Sequence, residues 1–560
     1  MRLKHAIVVL VCFAVAAIWL SALEYRLPYL DQIPVYDADV MTSYARMWAH
    51  NWWANGALKM WFATPYSPLS AETPTLSDVR LYQSWPPGVV VPIFLLAKVL
   101  NIEPSVPLIN WFNVATHGLV ALAVAFTAFN IGRANKLHVV ACGLMAIGVA
   151  FPVLYPSGLI FFFSQVYCPT IQILLYSAVF ILLESLSYVV EDPRHRKVLY
   201  MLQLLTIYLA FFVDWLSYTL FAFWMVVRLT GAYMGLGESW SRRQLIGLTL
   251  LPVSAFTIYL GWRFLTPGSL ARTQGVAASL YELGWKILFR MNLTGDQKIT
   301  DFGSRFLEMH AGYYSPHVLA LIVGATLATG FFLALSFALA VDPLERRSVF
   351  NTASLLFLVT VPFYAHMLVF YQHTAIHRWA IAKAMFAYAL VPFSLLPISI
   401  VVFLRLYQRP RAAKFNFPAR YSTIAGILLA IGSLCGAEVS AWAFHGPQLI
   451  ATINPDYYHM WDDISRNTVF RDVVFSPVLD AEPLGVEVGV ANKVVYPARN
   501  FSDIDRKIDH LCGEFNVVVA LPPGTGVGEF ASRVPSNVIE TRNIRLLRFA
   551  NYAGKAIGCR

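Results

Sequence analysis

The chain has 560 residues, 58% of them hydrophobic and only 13% charged, and its 42 Lys and Arg outnumber its 32 Asp and Glu for a net charge of +10. Soluble globular proteins carry about 25% charged residues, so this composition excludes an ordinary water-soluble fold. The basic residues stand in short clusters between apolar runs, a pattern that orients a membrane protein and speaks against a nucleic-acid partner.

A bilayer is crossed by about 20 mainly apolar residues. Runs of that kind predict about eleven transmembrane helices, at 6–22, 106–130, 138–155, 169–190, 198–213, 215–230, 245–265, 317–340, 350–370, 379–404 and 421–443. Arg2 and Lys4 ahead of the first run resemble a secretory leader, with small residues at Ser21 and Ala22, but the spans that follow favour an uncleaved first helix. The run 89–100, VVVPIFLLAKVL, is too short to cross and reads as a helix lying in the interface.

Charge placement tests this count. With the N-terminus in the cytoplasm, the short inside segments hold 17 Lys and Arg in 59 residues, whereas the long outside loops 23–105 and 266–316 hold 10 in 134. That asymmetry agrees with the positive-inside rule. Counting 89–100 as a span would invert every later loop and put RPRAAK (409–414) outside. The expected architecture is a polytopic α-helical membrane domain over 1–443 and a soluble extracytoplasmic α/β domain over 445–560, in a bacterial inner membrane with the C-terminal domain periplasmic.

Within the C-terminal region, Phe515–Leu521 and Ile544–Phe549 read as strands and Asp503–Cys512 as a helix. The segment LPPGTGVGEF lacks the GK[ST] ending of a phosphate loop and reads as a turn. Cys512 and Cys559 could pair in an oxidising compartment, whereas Cys12, Cys142, Cys168 and Cys435 read as packing residues in or beside apolar runs. Asn292-Leu-Thr and Asn500-Phe-Ser are glycosylation sequons by pattern only.

Candidate chemistry gathers at the outer ends of the spans. Asp37 and Asp39 lie just beyond the first helix, where a carboxylate can take a proton from an acceptor hydroxyl beside a lipid-linked donor. Two acids at this spacing could instead share a divalent cation with a phosphate, and Asp39 could equally cap the helix beginning at Val40. Tyr82-Gln-Ser-Trp85-Pro-Pro-Gly88 fixes an extended entry into the short interfacial helix, with aromatics suited to the headgroup level. Asp214 sits at an outer hairpin, where it could orient a sugar or cap the next helix.

Phosphate requires cationic donors at the same height. Arg263 ends a span externally, with Arg272, Lys286 and Arg290 in the loop beyond, and His373, His377, Arg378 and Lys383 cluster in another outer segment. For Arg263 and Lys383 the plain alternative is snorkelling at the interface. His373 and His377 are four apart, a spacing zinc can use, but neither a HExxH glutamate nor a third ligand is evident, so no protein metal site is predicted.

Asp37 followed nine positions later by Arg46, then WPPG and a short apolar helix, resembles the first-loop pattern of the GT-C superfamily, in its protein O-mannosyltransferase and lipid A aminoarabinose transferase branches. The resemblance implies Asp37 as catalytic base, a polyprenyl- or dolichyl-phosphate sugar as donor and an external active site. Those branches usually carry an acid directly after the catalytic Asp; here Ala38 stands there and Asp39 follows. Trp85 replaces the Lys that precedes Pro-Pro in the aminoarabinose branch.

The function expected is inverting transfer of a sugar from a polyprenyl-phosphate donor to a hydroxyl of a glycolipid, polysaccharide or protein. Substrate contacts are expected from Asp39, Arg46, Tyr82, Trp85, Asp214, Arg263, His373, His377, Arg378 and Lys383. No cofactor is required beyond a divalent cation that the paired acids could hold. The alternative is a transporter or flippase of a lipid-linked or anionic substrate, against which stand the lack of an internal repeat and of broken helices at matched positions.

Overall fold

The computed structural model describes residues 2–27, 30, 39–66, 69, 75–77, 79–155, 169–237, 240–294, 299–314, 316–376, 378–415, 420–443, 463–464, 466–469, 472–477, 495–508, 514–522, 528–530, 532–542 and 544–553. Each of the eleven segments predicted to span falls on helix: α1 (Arg2–Glu24), α4 (Val106–Ala134), α5 (Val139–Leu154), α6 (Pro169–Ser187), α7 (Pro193–Ala210), α8 (Leu216–Tyr233), α9 (Arg242–Leu265), α13 (Pro316–Leu339), α14 (Pro343–Val369), the helical run Arg378–Phe415 and α18 (Arg420–Ala443). Six helices among the described residues are long and apolar enough to cross a membrane, namely Leu3–Glu24, Val106–Ala134, Arg242–Leu265, Leu319–Leu339, Pro343–Val369 and Ala380–Gln408. The apolar stretches of α5, α6 and α18 are shorter, and α7 opens on the charged Pro-Arg-His-Arg-Lys.

The outward faces fit a lipid solvent. On α7, Val198, Met201, Leu205 and Leu209 recur at helical spacing and stay exposed, while Gln203, Ile207 and Ala210 turn inward. On α1, Val11, Val15, Ile18 and Ala22 pack into the bundle and Phe13 and Leu20 face out. Helix α5 lies at the centre, against α1, α4 and α18. Small residues let it approach: a Cβ on Gly143 would come within 2.7 Å of Ile7 Cγ2, and one on Gly148 within 3.3 Å of the Leu434 backbone. One buried charge pair crosses the bundle. Glu184 on α6 meets Arg228 on α8 at 2.5 Å and accepts from Gln203, Trp224 and Tyr188, so all its neighbours are donors.

The run that begins at Arg378 is not one regular helix. It starts as 3-10 turns (Arg378–Ala384), continues as α16 (Met385–Leu390), passes through a π turn (Val391–Leu395) and ends as α17 (Leu396–Phe415). Pro392 lacks the N–H for a regular ladder, which accounts for the wider turn there.

The first long loop folds on itself. Helix α2 (Asp39–Asn55) and α3 (Val91–Leu100) enclose an apolar cluster containing Met47, Trp48, Trp52, Met60 and Ile93. Trp48 and Trp52 donate their indole N–H groups to the carbonyls of Pro65 and Ala63, at 2.7 and 2.8 Å. As expected for 89–100, α3 is a ten-residue apolar helix. The second loop carries α10 (Leu270–Gln274), α11 (Val276–Arg290) and α12 (Phe302–Tyr314), and α15 (Tyr371–Ile376) follows α14. The amide of Asn292 is committed to Ile299 (Nδ2 to O 3.1 Å, Oδ1 from N 3.0 Å) and to the Tyr371 hydroxyl, so this sequon serves as an internal brace.

The C-terminal region holds a five-stranded sheet in the order β2-β1-β3-β5-β4: β1 (Asp472–Ser476), β2 (Val495–Pro497), β3 (Glu514–Leu521), β4 (Asn537–Glu540) and β5 (Arg545–Ala553). β1 runs parallel to β2 and β3, whereas β5 is antiparallel to β3 and β4. Helix α19 (Phe501–Ile508) covers one face through Phe501, Ile504 and Ile508. Both predicted strands and the start of the predicted helix are present; Cys168, Cys512 and Cys559 lie outside the described residues.

The first loop meets the bundle at close backbone range beside Gly88. A Cβ on Gly88 would lie 2.3 Å from the Phe212 carbonyl oxygen, a backbone atom that cannot rotate away. Gly88→Ala is therefore expected to lower the thermal midpoint of the purified protein by several degrees, read by tryptophan fluorescence, whereas Gly284→Ala, which would meet nothing within 4 Å, leaves it unchanged or higher.

Candidate functional site

The site grows from the segment 82–88. Pro86 is extended (φ −60°, ψ 150°) and Pro87 opens a single 3-10 turn, so the two prolines deliver the chain straight into α3. Its carbonyls are pinned from several directions. Gln83 O accepts from the Tyr259 hydroxyl and from Arg263 Nη1, both at 2.7 Å, and the Gln83 side chain donates back to the Arg263 carbonyl at 3.1 Å. Ser84 O accepts from Trp215 Nε1 at 3.3 Å, and Val89 O accepts from Gln172.

Arg263 has no exposed surface. Besides Gln83, its guanidinium reaches Ser279 Oγ (3.0 Å), Ser279 O (3.0 Å) and Glu282 Oε2 (2.6 Å), while Lys286 takes Glu282 Oε1 at 2.9 Å. Burial pushes the Glu282 carboxyl up, but Lys286 and Arg263 outweigh it and leave the group below its ordinary value. The structure thus turns Arg263, expected from the sequence as a substrate contact, toward protein groups that join α9, α11 and the first loop.

Asp214 and Lys383, far apart in sequence, meet as a buried pair: Lys383 Nζ lies 3.2 and 3.3 Å from the two carboxylate oxygens. Asp214 Oδ1 also accepts from Leu216 N at 2.7 Å, capping α8, one of the two roles its hairpin position allowed. Lys383 further contacts His366 Nε2 at 3.1 Å. Trp215, next to Asp214, is the residue that holds Ser84, so the ion pair and the Trp85-Pro-Pro segment share one hairpin.

Around Trp85 stand rings and a cation. Tyr82 lies 5.7 Å from it and stacks on Trp48 at 5.5 Å. The His373 ring meets Trp85 edge-on at 6.1 Å, and the Arg290 guanidinium sits 5.5 Å from the Trp85 centroid. Burial raises the Tyr82 hydroxyl above its ordinary value, so it stays protonated. Arg290 forms no ion pair among the described residues; Glu282, on the same helix, is occupied by Arg263 and Lys286.

The remaining predicted residues are scattered or lie beyond description. Arg46 is buried on α2, within electrostatic reach of Glu103. Asp39 begins α2 and Arg378 begins the 3-10 turns, but their side chains, and the whole of Asp37 and His377, lie outside the described residues. Among the described residues no group of three or more His, Cys, Asp or Glu could hold a metal ion. Sequence reasoning passed over His366 and Glu282. The signal for His366 was an ionisable residue inside the apolar run VPFYAHMLVF, a costly placement in a membrane. Between α4, α6 and α7 runs an apolar groove of about 500 Å³, lined by Leu119, Phe126, Tyr176, Leu182, Leu202 and Leu209 among others.

The Arg263–Glu282 link carries a pH signature. A carboxyl held below its ordinary value of 4.5 contributes stability fully above that value and loses it as pH falls through the lower, folded value. Glu282→Gln should lower the thermal midpoint at pH 7 and flatten its fall between about pH 5 and pH 3. A midpoint curve parallel to that of the wild type would mean that the link contributes nothing.

No protein-family model matches the sequence, and no curated protein matches it. Solved structures do. The oligosaccharyltransferase of Archaeoglobus fulgidus in its apo form matches with a TM-score of 0.52 and 12% identity, over 92% of this chain and 69% of that one. The same enzyme tethered to an acceptor peptide containing the NVT sequon gives 0.49 and 13%, over 92% and 69%. ArnT from Cupriavidus metallidurans bound to undecaprenyl phosphate gives 0.43 and 12%, over 98% and 99%. The chain has the fold of an integral-membrane oligosaccharyltransferase, the GT-C fold that its first-loop motif resembles.

Proposed function

We propose that the chain is an integral-membrane glycosyltransferase that takes its sugar from a polyprenyl-phosphate donor. The observation that carries this reading is the meeting of both long loops at Trp85, where Arg290 lies against the indole without a carboxylate partner among the described residues. A guanidinium placed so suits a phosphoryl group, which it can hold through paired N–H donors. The shared fold with an oligosaccharyltransferase supports the reaction class by analogy. The apolar groove between α4, α6 and α7 is of a kind that a polyprenyl chain fills.

In this reading the eleven helices span, the N-terminus is cytoplasmic, and the long loops and the region from 445 are extracytoplasmic. Asp37 takes the proton of an acceptor hydroxyl, whose oxygen bonds to the anomeric carbon as the bond from that carbon to the phosphate oxygen breaks. Polyprenyl phosphate leaves with the bonding pair, and the anomeric configuration inverts. Asp39 stands at the spacing at which two acids share a divalent cation with the phosphate.

The test is a transfer assay in proteoliposomes with a panel of polyprenyl-phosphate sugars, with and without chelator, the products identified by mass spectrometry. Asp37→Ala should cut transfer about a thousandfold at unchanged expression. Donor movement across the bilayer without any new glycosidic bond would replace the transferase by a flippase.

A further inference from the structure

His366 stands in the last turn of α14, 5% exposed, with Lys383 Nζ 3.1 Å from its Nε2. The ammonium of Lys383, paired with both oxygens of Asp214, has only protons to offer, so Nε2 must be the acceptor. A neutral imidazole then carries its proton on Nδ1. That nitrogen is buried, and no group among the described residues accepts from it. Buried donors are nearly always satisfied, and a donor left open beside a functional site asks for a ligand.

Charge decides which ligand. The Lys383 charge is matched by Asp214, and the Asp214 carboxylate is shared between Lys383 and the Leu216 N–H. Arg290 lies within electrostatic range of His366 and has no ion pair among the described residues, so the described charges around His366 sum to one positive in excess. A guest that accepts from an N–H and carries negative charge suits both groups at once. A phosphoryl oxygen has these properties, and a sugar hydroxyl lacks the charge.

We infer that His366 Nδ1–H donates a hydrogen bond to a phosphoryl oxygen of the lipid-linked donor, and that the Asp214–Lys383 pair holds the ring in the tautomer that does so. The inference rests on the transferase reading and assigns three residues within it. His366 touches the ligand, and Lys383 and Asp214 are positioning residues. The hydrogen bond strengthens as charge gathers on the departing phosphate, so it aids release as well as binding.

The two ring nitrogens can be tested separately. In His366→Asn the side-chain amide N–H falls near the place of Nδ1, whereas in His366→Gln the longer amide reaches toward Lys383 and leaves the Nδ1 position empty. Binding of polyprenyl phosphate, of polyprenol and of inorganic phosphate to the full chain in nanodiscs would be measured for both variants, for His366→Phe and for the wild type, alongside transfer. Gln and Phe should weaken polyprenyl phosphate about tenfold, Asn less than threefold, and none should change polyprenol binding. Inorganic phosphate competing in the wild type but not in His366→Gln would place the contact on the phosphoryl group.

Equal binding of polyprenyl phosphate by wild type and His366→Gln, with transfer intact, overturns the inference alone and leaves Nδ1–H bonded to water only. Equal losses for polyprenol and polyprenyl phosphate in all three variants also overturn it, by reducing His366 to packing. His366-dependent phosphate binding without transfer of any sugar would overturn the transferase reading and leave the inference standing.

Discussion

A guanidinium with no exposed surface organises the two long loops of this protein. Arg263 sits at the end of α9 and reaches at once the carbonyl of Gln83 in the first loop and the Ser279 and Glu282 groups of α11. A buried charge is tolerable only when its donors are met and its charge is balanced. That requirement makes the two loops a single unit. Because Gln83 precedes Trp85 by two residues, the same contacts set where the indole stands, and Trp215 and Tyr259 add their own hydrogen bonds to the same stretch.

A second buried pair works in parallel. Asp214–Lys383 joins the α7–α8 hairpin to the 3-10 turns that precede α16, and Lys383 extends the link to α14 through His366. The two pairs meet through the hairpin, since Asp214 is followed by Trp215, which holds Ser84. Removing one partner of such a pair strands a charge in a poorly solvated place and costs about 3–5 kcal/mol. These charges therefore act first as joints between elements. Arg290, which forms no ion pair among the described residues, lies against Trp85 instead.

Much of the plan was legible along the chain. Apolar runs and clusters of Lys and Arg located the helices, because the bilayer imposes one length and one charge rule on every span. The proline pair announced the entry to α3, and the short apolar stretches Phe515–Leu521 and Ile544–Phe549 announced β3 and β5. Individual site residues were less legible. Arg263 and Lys383 look alike in sequence, each a cation at the end of an apolar run, and nothing nearby tells which neighbour each will meet. Lys383 finds Asp214 across 169 positions, and Arg263 finds Gln83 across 180.

By itself the sequence determined that this is a membrane protein, where its helices run, and that its polar chemistry gathers in two long loops and one hairpin. These properties follow from local composition, which partitions each segment between hydrocarbon and water without reference to any other. Only the tertiary structure decided which cations are consumed as joints, that Arg290 lies against Trp85, and that Lys383 reaches both Asp214 and His366. Such facts depend on pairings between helices far apart in the chain, and a buried charge selects its partner by position in space.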